Sequence, residues 1–184
     1  MRKVRRALSR SFLLASVFCL AVIAGSSSAN GMPAREVVGW GNNSYGQTNI
    51  PSGLSNVIAI AAGYDHSLAL TAEGRVVGWG NNNYGRTNIP SGLSNVVAIA
   101  AGAYHSLALT DEGRVVAWGH NGYGQRTIPS GLSDVVAIAA GGFHSLALTA
   151  EGWVVGWGDN SLGQTTIPSG LSNVIAIAAG YDHS

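Results

Sequence analysis

The sequence predicts an all-β protein, a β-propeller assembled from repeats of 39 residues. Proline, histidine and tryptophan recur together at this period, and the tryptophans are Trp40, Trp79, Trp118 and Trp157. Within each repeat, glycine separates short apolar or alternating runs, which is typical of strands and tight turns. A fixed period of this length indicates units that each bury an apolar face against the next unit. Charged residues make up only 10% of the chain and glycine supplies 26 of 184 residues, which fits buried strands better than helices or disorder.

The chain begins with the features of a secretory signal peptide, Met1–Ala29. Five basic residues lie in the first ten positions, an apolar run follows from Phe12 to Gly25, and small residues precede an expected cleavage after Ala29. The run is shorter than the roughly 20 residues of a membrane span, so a retained anchor is the less favoured alternative. Cys19 would leave with the signal, and the mature chain would then hold no cysteine. We therefore expect a secreted, periplasmic or cell-surface protein with no stable membrane span after signal removal.

Residues 30–36 form a short polar lead-in, and the repeat array occupies residues 37–184. The complete copies are identical at 27 of 39 positions, and the array divides into residues 37–75, 76–114, 115–153 and a truncated copy at 154–184. From residue 30 onward, five arginines stand against nine acidic residues, a balance of −4. Sequence-independent nucleic-acid binding needs clustered Lys and Arg, so no nucleic-acid partner is expected.

Each repeat is predicted to form three strands and one long return loop. In the second copy, Val96–Gly102 is a short apolar run that ends at glycine, as a buried strand does. His105–Thr110 alternates, with Leu107 and Leu109 on one face. After a turn, Arg114–Gly119 forms the third strand, with Val116 and Trp118 on one face. The loop His120–Asp134 follows and contains Pro129, which would remove a hydrogen bond from a central strand.

The distribution of side-chain size within a repeat favours radial blades. The first strand is crowded with alanine, whereas the third strand carries the bulky Trp118. A blade needs small side chains near the propeller axis and has more room farther out. An open β-solenoid is the competing fold, but the unit turns back twice instead of coiling in one direction.

The motifs W-G-x-N-x-x-G-Q-T, V-x-A-I-A-A-G and H-S-L-A-L resemble the RCC1 repeat, named for the regulator of chromosome condensation 1. The resemblance covers residues 37–184 and is similar in style to bacterial secreted members such as β-lactamase inhibitory protein II. The resemblance implies a seven-bladed propeller, with three-stranded blades in the short-repeat inhibitor. This chain differs from that in the number of repeat copies. Nuclear RCC1 is a nucleotide exchange factor on chromatin. The secretory signal and the net negative charge of the chain after residue 30 argue against that role here.

The differences between the copies fall mostly in two zones, the loop after the tryptophan strand and the two residues before each histidine. Strand parity places both zones at the same end of every blade. This predicts a partner-binding face with nine candidate residues: Tyr64, Asp65, Tyr104, Phe143, Tyr181 and Asp182 in the turns, and Tyr45, Tyr84 and Tyr123 in the loops. Tyrosine on loops above a rigid scaffold is common at protein interfaces, and the inhibitor family uses such loops for its partner. Alternatively, the loop tyrosines pack beneath their own loops.

No catalytic residue, cofactor site or metal site is predicted. The recurring histidines, one per copy, are His66, His105, His144 and His183. They could form a ring around a metal on the propeller axis, but no acidic or cysteine ligand repeats beside them. A hydrogen bond from each histidine to its own turn is therefore favoured. A serine follows each histidine, but neighbours in a strand point to opposite faces and cannot act together. The protein is therefore not expected to be an enzyme.

The last copy stops just inside its second strand. Residues 37–41 and 174–184 are expected to be halves of a split blade, although the second half lacks most of its middle strand. Three interpretations stay open: a fragment of a longer array, a ring closed by two or more chains, or a degraded gene product. Open blade edges would also permit self-association.

Function is predicted as protein binding by a secreted propeller through aromatic loops on one face. The identity of the protein partner does not follow from the sequence. One alternative is a protein similar to the β-lactamase inhibitor. Another alternative, from a different class, is a cell-envelope array with a structural, adhesive or carbohydrate-binding role.

Overall fold

Three sheets of three antiparallel strands repeat along the chain in the computed structural model, which describes residues 24–27 and 33–184. The first sheet contains β3 (Val57–Ala62), β4 (His66–Thr71) and β5 (Val76–Gly80). The second and third repeat this arrangement as β6 (Val96–Ala101), β7 (His105–Thr110), β8 (Val115–Gly119), β9 (Val135–Ala140), β10 (His144–Thr149) and β11 (Val154–Gly158). We call the three sheets blades one, two and three. The predicted all-β fold with three strands per repeat is confirmed.

The strand bounds differ from the sequence prediction by one residue at two places. The first strand of blade two ends at Ala101, because the amide of Gly102 donates to the carbonyl oxygen of His105 in the turn. The third strand begins after Arg114, whose carbonyl oxygen accepts a hydrogen bond from the amide of Thr110 at 2.9 Å. Both residues therefore close turns instead of extending strands.

A small additional sheet precedes the blades. It pairs β1 (Ala24–Ser27) with β2 (Pro33–Glu36) in antiparallel register. The rest of the predicted signal peptide, including the cleavage position Ala29, lies outside the described residues. No helix within residues 24–27 and 33–184 is long and apolar enough to cross a membrane.

The hydrophobic core lies between blades. Leu68 and Leu70 of blade one pack with Val116 and Trp118 of blade two. Leu107 and Leu109 of blade two form the equivalent cluster with Trp157 of blade three. The predicted pairing of Val116 with Trp118 and of Leu107 with Leu109 on common faces is confirmed. Each blade thus buries its apolar side chains against the next blade, as repeat architectures do.

The first strands of neighbouring blades contact each other, β3 with β6 and β6 with β9. Alanine-rich strands allow this close approach, which confirms the predicted taper. A β-bulge interrupts the pairing of each first strand, between Val57 and Ala59 in blade one. The bulge leaves Ile58 exposed at the start of that strand.

The expected halves of a split blade form no strands in the structure. Residues 37–41 and 174–184 have no assigned strand, and Ile175 is 95% exposed. In complete blades these sequences pair with a full middle strand such as His105–Thr110, and only His183 and Ser184 of that strand follow residue 182. The three complete blades therefore form a partial array.

Candidate functional site

The two variable zones lie together at one end of the blades. The amide of Asn81, at the start of a loop, donates to the carbonyl oxygen of Asp65 in the turn at 2.8 Å. His120 and Tyr104 are joined in the same way at 2.9 Å. This confirms the arrangement that strand parity predicted. We call the surface formed by the nine candidate residues and His120 the aromatic face.

Turn side chains from successive blades form a continuous row of rings. The ring centroids of Tyr64 and Tyr104 lie 6.4 Å apart in a stacked arrangement. Tyr104 stacks on Phe143 at 4.9 Å with an angle of 18° between the planes. Phe143 meets Tyr181 edge to face at 6.0 Å. Such contacts hold the rings in fixed relative positions.

Two of the three loop tyrosines join this row. Tyr84 meets Tyr104 edge to face at 6.2 Å, and Tyr123 packs on Phe143 at 4.8 Å. Both remain more than half exposed, so they are surface groups and are not buried beneath their loops. Tyr45 is 55% exposed and has no ring contact with other aromatic side chains in the described part of the chain. The structure thus brings six of the seven candidate aromatic side chains together and leaves Tyr45 apart.

The two candidate carboxylates stand at the ends of the row. Asp65 follows Tyr64 in the first turn, and Asp182 follows Tyr181 in the last. Burial is the main reason that the pKa of Tyr181 is raised, with a hydrogen bond to Tyr104 and the charge of Asp182 adding to it. Tyr181 is therefore a neutral hydroxyl donor near neutral pH.

His120 is part of the aromatic face, although the sequence pattern did not single it out. Its ring centroid lies 4.7 Å from that of Tyr84 and 6.0 Å from that of Phe143. The Nδ1 atom accepts hydrogen bonds from the side-chain amide of Gln125 at 2.9 Å and the backbone amide of Gly122 at 3.4 Å. The available signal was the histidine itself, at a position where the first two copies have Asn42 and Asn81 and the fourth has Asp159.

Arg86 is a second residue that sequence reasoning missed. It is 1% exposed beneath the aromatic face, where the other copies have glutamine. Its Nη1 atom donates to the carbonyl oxygen of Ala103 and its Nε atom to that of Asn83, each at 3.0 Å. The guanidinium carbon lies 5.0 Å from the ring centre of Tyr104 and 5.8 Å from that of Tyr84. Burial lowers the pKa of Arg86, and the charge of Asp65 opposes that shift.

The backbone of Tyr84 is strained. Its φ is 68°, whereas the other non-glycine residues of the described chain with positive φ are asparagine or aspartate at one repeated position: Asn56, Asn95, Asp134 and Asn173. Asparagine and aspartate tolerate this left-handed conformation better than a bulky residue does. A tyrosine there costs roughly 1–2 kcal/mol. Tyr84 lies in the 3₁₀ turn Asn83–Gly85, and the surrounding contacts must hold it in place.

Three of the four recurring histidines, His66, His105 and His144, are buried as expected, whereas His183 is exposed. The prediction that each side chain bonds its own turn was wrong for the three buried ones. The Nε2 atom of His66 lies 2.9 Å from the Oγ atom of Ser106, which belongs to the next blade. His105 makes the same contact with Ser145, and His144 with Ser184. We call these contacts cross-blade pairs. Sequence periodicity within one repeat could not show them, because each joins residues that are one repeat and one position apart.

The cross-blade pairs are fixed in one protonation state. Ser106 Oγ donates to the carbonyl oxygen of Arg86 at 2.9 Å, so it accepts a hydrogen bond from His66. Desolvation is the main reason that the pKa of His66 falls to about 3, with the positive charge of Arg86 adding to it. Desolvation also lowers the pKa of His105 to about 3. Both rings are therefore neutral at physiological pH and act as hydrogen-bond donors, not as general bases.

Metal binding has no obvious site in the part of the chain that the structure covers. No three His, Cys, Asp or Glu side chains of the described residues come together as they would around an ion. The cross-blade pairs place histidine and serine in contact, but each serine hydroxyl is already committed to a backbone carbonyl, as Ser145 is to Gln125. A nucleophilic serine would need its proton free for the histidine.

Stacked three-stranded blades with aromatic loops at one end define the protein as a repeat propeller with an aromatic surface. Residues 57–86, 96–125 and 135–164 match the regulator of chromosome condensation (RCC1) repeat. The chain carries three RCC1 repeats, one for each complete blade. No curated protein sequence matches the chain at a significant level.

Solved propellers have the same fold. Prp20p from Saccharomyces cerevisiae superimposes with a TM-score of 0.68 at 20% identity, over 80% of this chain and 50% of its own. The ectodomain of the Physcomitrella patens receptor kinase CR4 superimposes with a TM-score of 0.63 at 26% identity, over 77% of this chain and 40% of its own. Human WBSCR16 superimposes with a TM-score of 0.51 at 28% identity, over 64% of this chain and 38% of its own. The chain thus spans half or less of the length of these solved chains.

Proposed function

We propose that the chain is a secreted, non-enzymatic propeller that binds a protein partner through its aromatic face. The observation that carries the proposal is the row Tyr64–Tyr104–Phe143–Tyr181, in which every blade contributes a ring to one surface. Aromatic side chains held rigidly at the surface lose little conformational entropy on binding, and they dominate the energetics of protein interfaces. The signal-like N-terminal sequence supports an extracellular or periplasmic location.

The relatives support a binding role in general terms. Prp20p has been described through its binding to Gsp1p and histones, which are properties of that protein. In this chain, the buried neutral histidines and the committed serines offer no acid–base pair. The exposed rings are therefore the chemical groups best suited to function.

The proposal is tested with the double substitution Tyr104→Ala and Phe143→Ala. The control is Trp153→Ala, which removes an aromatic ring that is 55% exposed from the opposite end of blade three, whereas Tyr104 and Phe143 are half-buried. Wild-type protein is used to capture partners from culture medium, and the affinity of each captured protein is measured by calorimetry. We expect the double substitution to weaken binding at least about tenfold, because central aromatic residues contribute more than about 1 kcal/mol each.

The melting temperature of the double variant should stay close to that of the wild type. A large loss of stability would show instead that the two rings belong to the core. Titration against secreted β-lactamases tests the inhibitor-like alternative, and an absence of inhibition removes it. Binding to cell-wall glycans that survives the double substitution would favour the envelope role over protein recognition.

A further inference from the structure

We propose that Arg86 is the specificity-determining residue of the aromatic face. Buried beneath that face, it sets the backbone of its loop so that Tyr84 joins Tyr104 and His120. This inference rests on the proposed function, since it concerns the same partner-binding surface. Arg86 is too deeply buried to touch a partner and acts as a positioning residue through Tyr84.

The repeated form of the loop shows what Arg86 replaces. In the first copy, the side-chain Oε1 of Gln47 accepts a hydrogen bond from the backbone amide of Tyr45 at 2.9 Å. Gln125 accepts from Tyr123 at 3.1 Å in the third copy. Gln164 accepts from Leu162 at 2.9 Å in the fourth. A glutamine oxygen thus holds the backbone of this loop in three of the four copies.

Arginine cannot make that bond, because the guanidinium has only donors. In the second copy the backbone takes the alternative form, with Tyr84 at φ 68° inside a 3₁₀ turn. Arg86 stabilises this form from below by donating to Asn83 within the loop and to Ala103 in the neighbouring turn. It also lies near the rings of Tyr84 and Tyr104 at cation–π distances.

The altered backbone places Tyr84 in contact with two rings. Its centroid is 4.7 Å from His120, the closest ring pair of the aromatic face, and 6.2 Å from Tyr104. Tyr123 keeps the glutamine-held loop and also contacts two rings, Phe143 at 4.8 Å and His120 at 6.4 Å, whereas Tyr45 keeps it and contacts none among the described residues. The exchange therefore changes the backbone conformation and the ring partners of Tyr84, and Tyr84–His120 is the closest ring pair of the face.

The loops and turns of the face differ in side chains from copy to copy, and the exchange at Arg86 adds a loop whose backbone conformation differs as well. This loop distinguishes the register of blade two from registers shifted by one blade, and specificity is a difference in affinity between such alternatives. The strain at Tyr84 fits this interpretation, since strained backbone that the structure maintains is concentrated at functional sites.

The first experiment concerns the free protein and needs no partner. Arg86→Gln restores the side chain of the other copies, and Arg126→Gln removes the same charge from an exposed position in the next loop. We expect Arg86→Gln to change the amide–Hα coupling of Tyr84 to that of a negative φ. The nuclear Overhauser contacts between Tyr84 and His120 should disappear as well. Arg126→Gln should change neither, and an unaltered Tyr84 in Arg86→Gln would overturn the inference whatever the partner is.

The second experiment measures binding with a defined probe. A displayed random peptide library is selected on the wild-type protein and counter-selected on the Tyr104→Ala/Phe143→Ala variant, and the recovered peptide is synthesised. We expect Arg86→Gln to weaken the peptide at least about tenfold and Arg126→Gln to leave it within about twofold. Tyr84→Ala should weaken it as much as Arg86→Gln, and the double substitution should be no worse than either.

The outcomes separate the two proposals. If Arg86→Gln and Tyr84→Ala weaken the peptide additively, Arg86 acts independently of Tyr84 and the positioning role is wrong, although the face still binds. If Arg86→Gln binds the peptide like the wild type, the specificity role of Arg86 is wrong, although the aromatic face still binds. If no peptide requires Tyr104 and Phe143, the face is not a binding surface, and both proposals fail.

Discussion

His66 of blade one donates a hydrogen bond from Nε2 to the Oγ atom of Ser106 in blade two, over 2.9 Å. The hydroxyl of Ser106 donates a hydrogen bond to the carbonyl oxygen of Arg86, which also accepts one from the indole nitrogen of Trp118 at 2.8 Å. The same arrangement joins blade two to blade three through His105 and Ser145. A polar chain therefore crosses each apolar interface between blades, and its direction is fixed because every donor in it has one acceptor.

Removing the serine of a cross-blade pair should destabilise the array. In Ser145→Ala, the Nε2 hydrogen of His105 would stay buried without an acceptor. An unsatisfied buried polar group costs about 1–3 kcal/mol. We expect the free energy of unfolding, measured with urea, to fall by about that amount.

The matched control is Ser133→Ala, which removes an exposed hydroxyl from a loop. Its unfolding free energy should change by less than about 0.5 kcal/mol. Equal effects of the two substitutions would contradict the importance of the cross-blade pair.

Stability should fall when the pH is lowered below the ordinary histidine value. The pKa of His66 and of His105 is about 3 in the folded chain, whereas the unfolded chain has the ordinary 6.5. The unfolded state thus binds more protons below pH 6.5, so the stabilisation is complete above that pH and is lost progressively as the pH falls toward 3. Between pH 8 and pH 5 the expected loss is about 2 kcal/mol for each of these histidines.

Urea unfolding at a series of pH values checks this dependence. His105→Gln supplies the control, because its amide can still donate to Ser145 but does not titrate. The variant should lose less stability between pH 8 and pH 5 than the wild type, by about 2 kcal/mol. Parallel pH profiles for the two proteins would rule out a neutral, buried His105.

Much of the fold could be predicted because the information lies within one repeat. Alternation in His105–Thr110 and the terminal glycine of Val96–Gly102 placed the strands to within a residue. Strand parity alone placed Tyr104 and the loop at His120 at the same end of a blade. These features depend only on local periodicity, which a single copy of the repeat contains.

Contacts between repeats could not be predicted in the same way. The pairing of His66 with Ser106 depends on the distance and rotation between blades, which no periodicity within a repeat encodes. The burial of Arg86 was missed because an arginine in a variable loop ordinarily points to solvent. The expected split blade at residues 37–41 did not form, because strand sequence alone does not supply the middle strand it needs.

Tryptophan should contribute to stability according to its place in the array. Trp118 is 4% exposed and donates its indole hydrogen to Arg86, whereas Trp40 is 63% exposed outside the complete blades. Trp118→Phe should lower the free energy of unfolding by about 1–3 kcal/mol, since it removes a buried hydrogen bond and part of a packed ring. Trp40→Phe should change it by less than about 0.5 kcal/mol. Chemical denaturation of both variants is the measurement, and a similar loss in each would show that the copy with Trp40 is as well packed as the blades.

A methyl group at Gly102 should disrupt the contact between blades two and three. A Cβ atom there would lie 2.5 Å from the carbonyl oxygen of Gly141 and equally close to the ring of His105, which is buried and paired. Neither neighbour can move without shifting a blade, so we expect Gly102→Ala to destabilise the protein by at least about 1–3 kcal/mol, as overpacking does. Gly122→Ala is the control, because its Cβ would meet only the half-buried side chain of His120 in the same loop and no backbone atom of another blade. Thermal unfolding of the two variants distinguishes them, and a Gly102→Ala protein as stable as the control would show that the first strands tolerate a wider separation between blades.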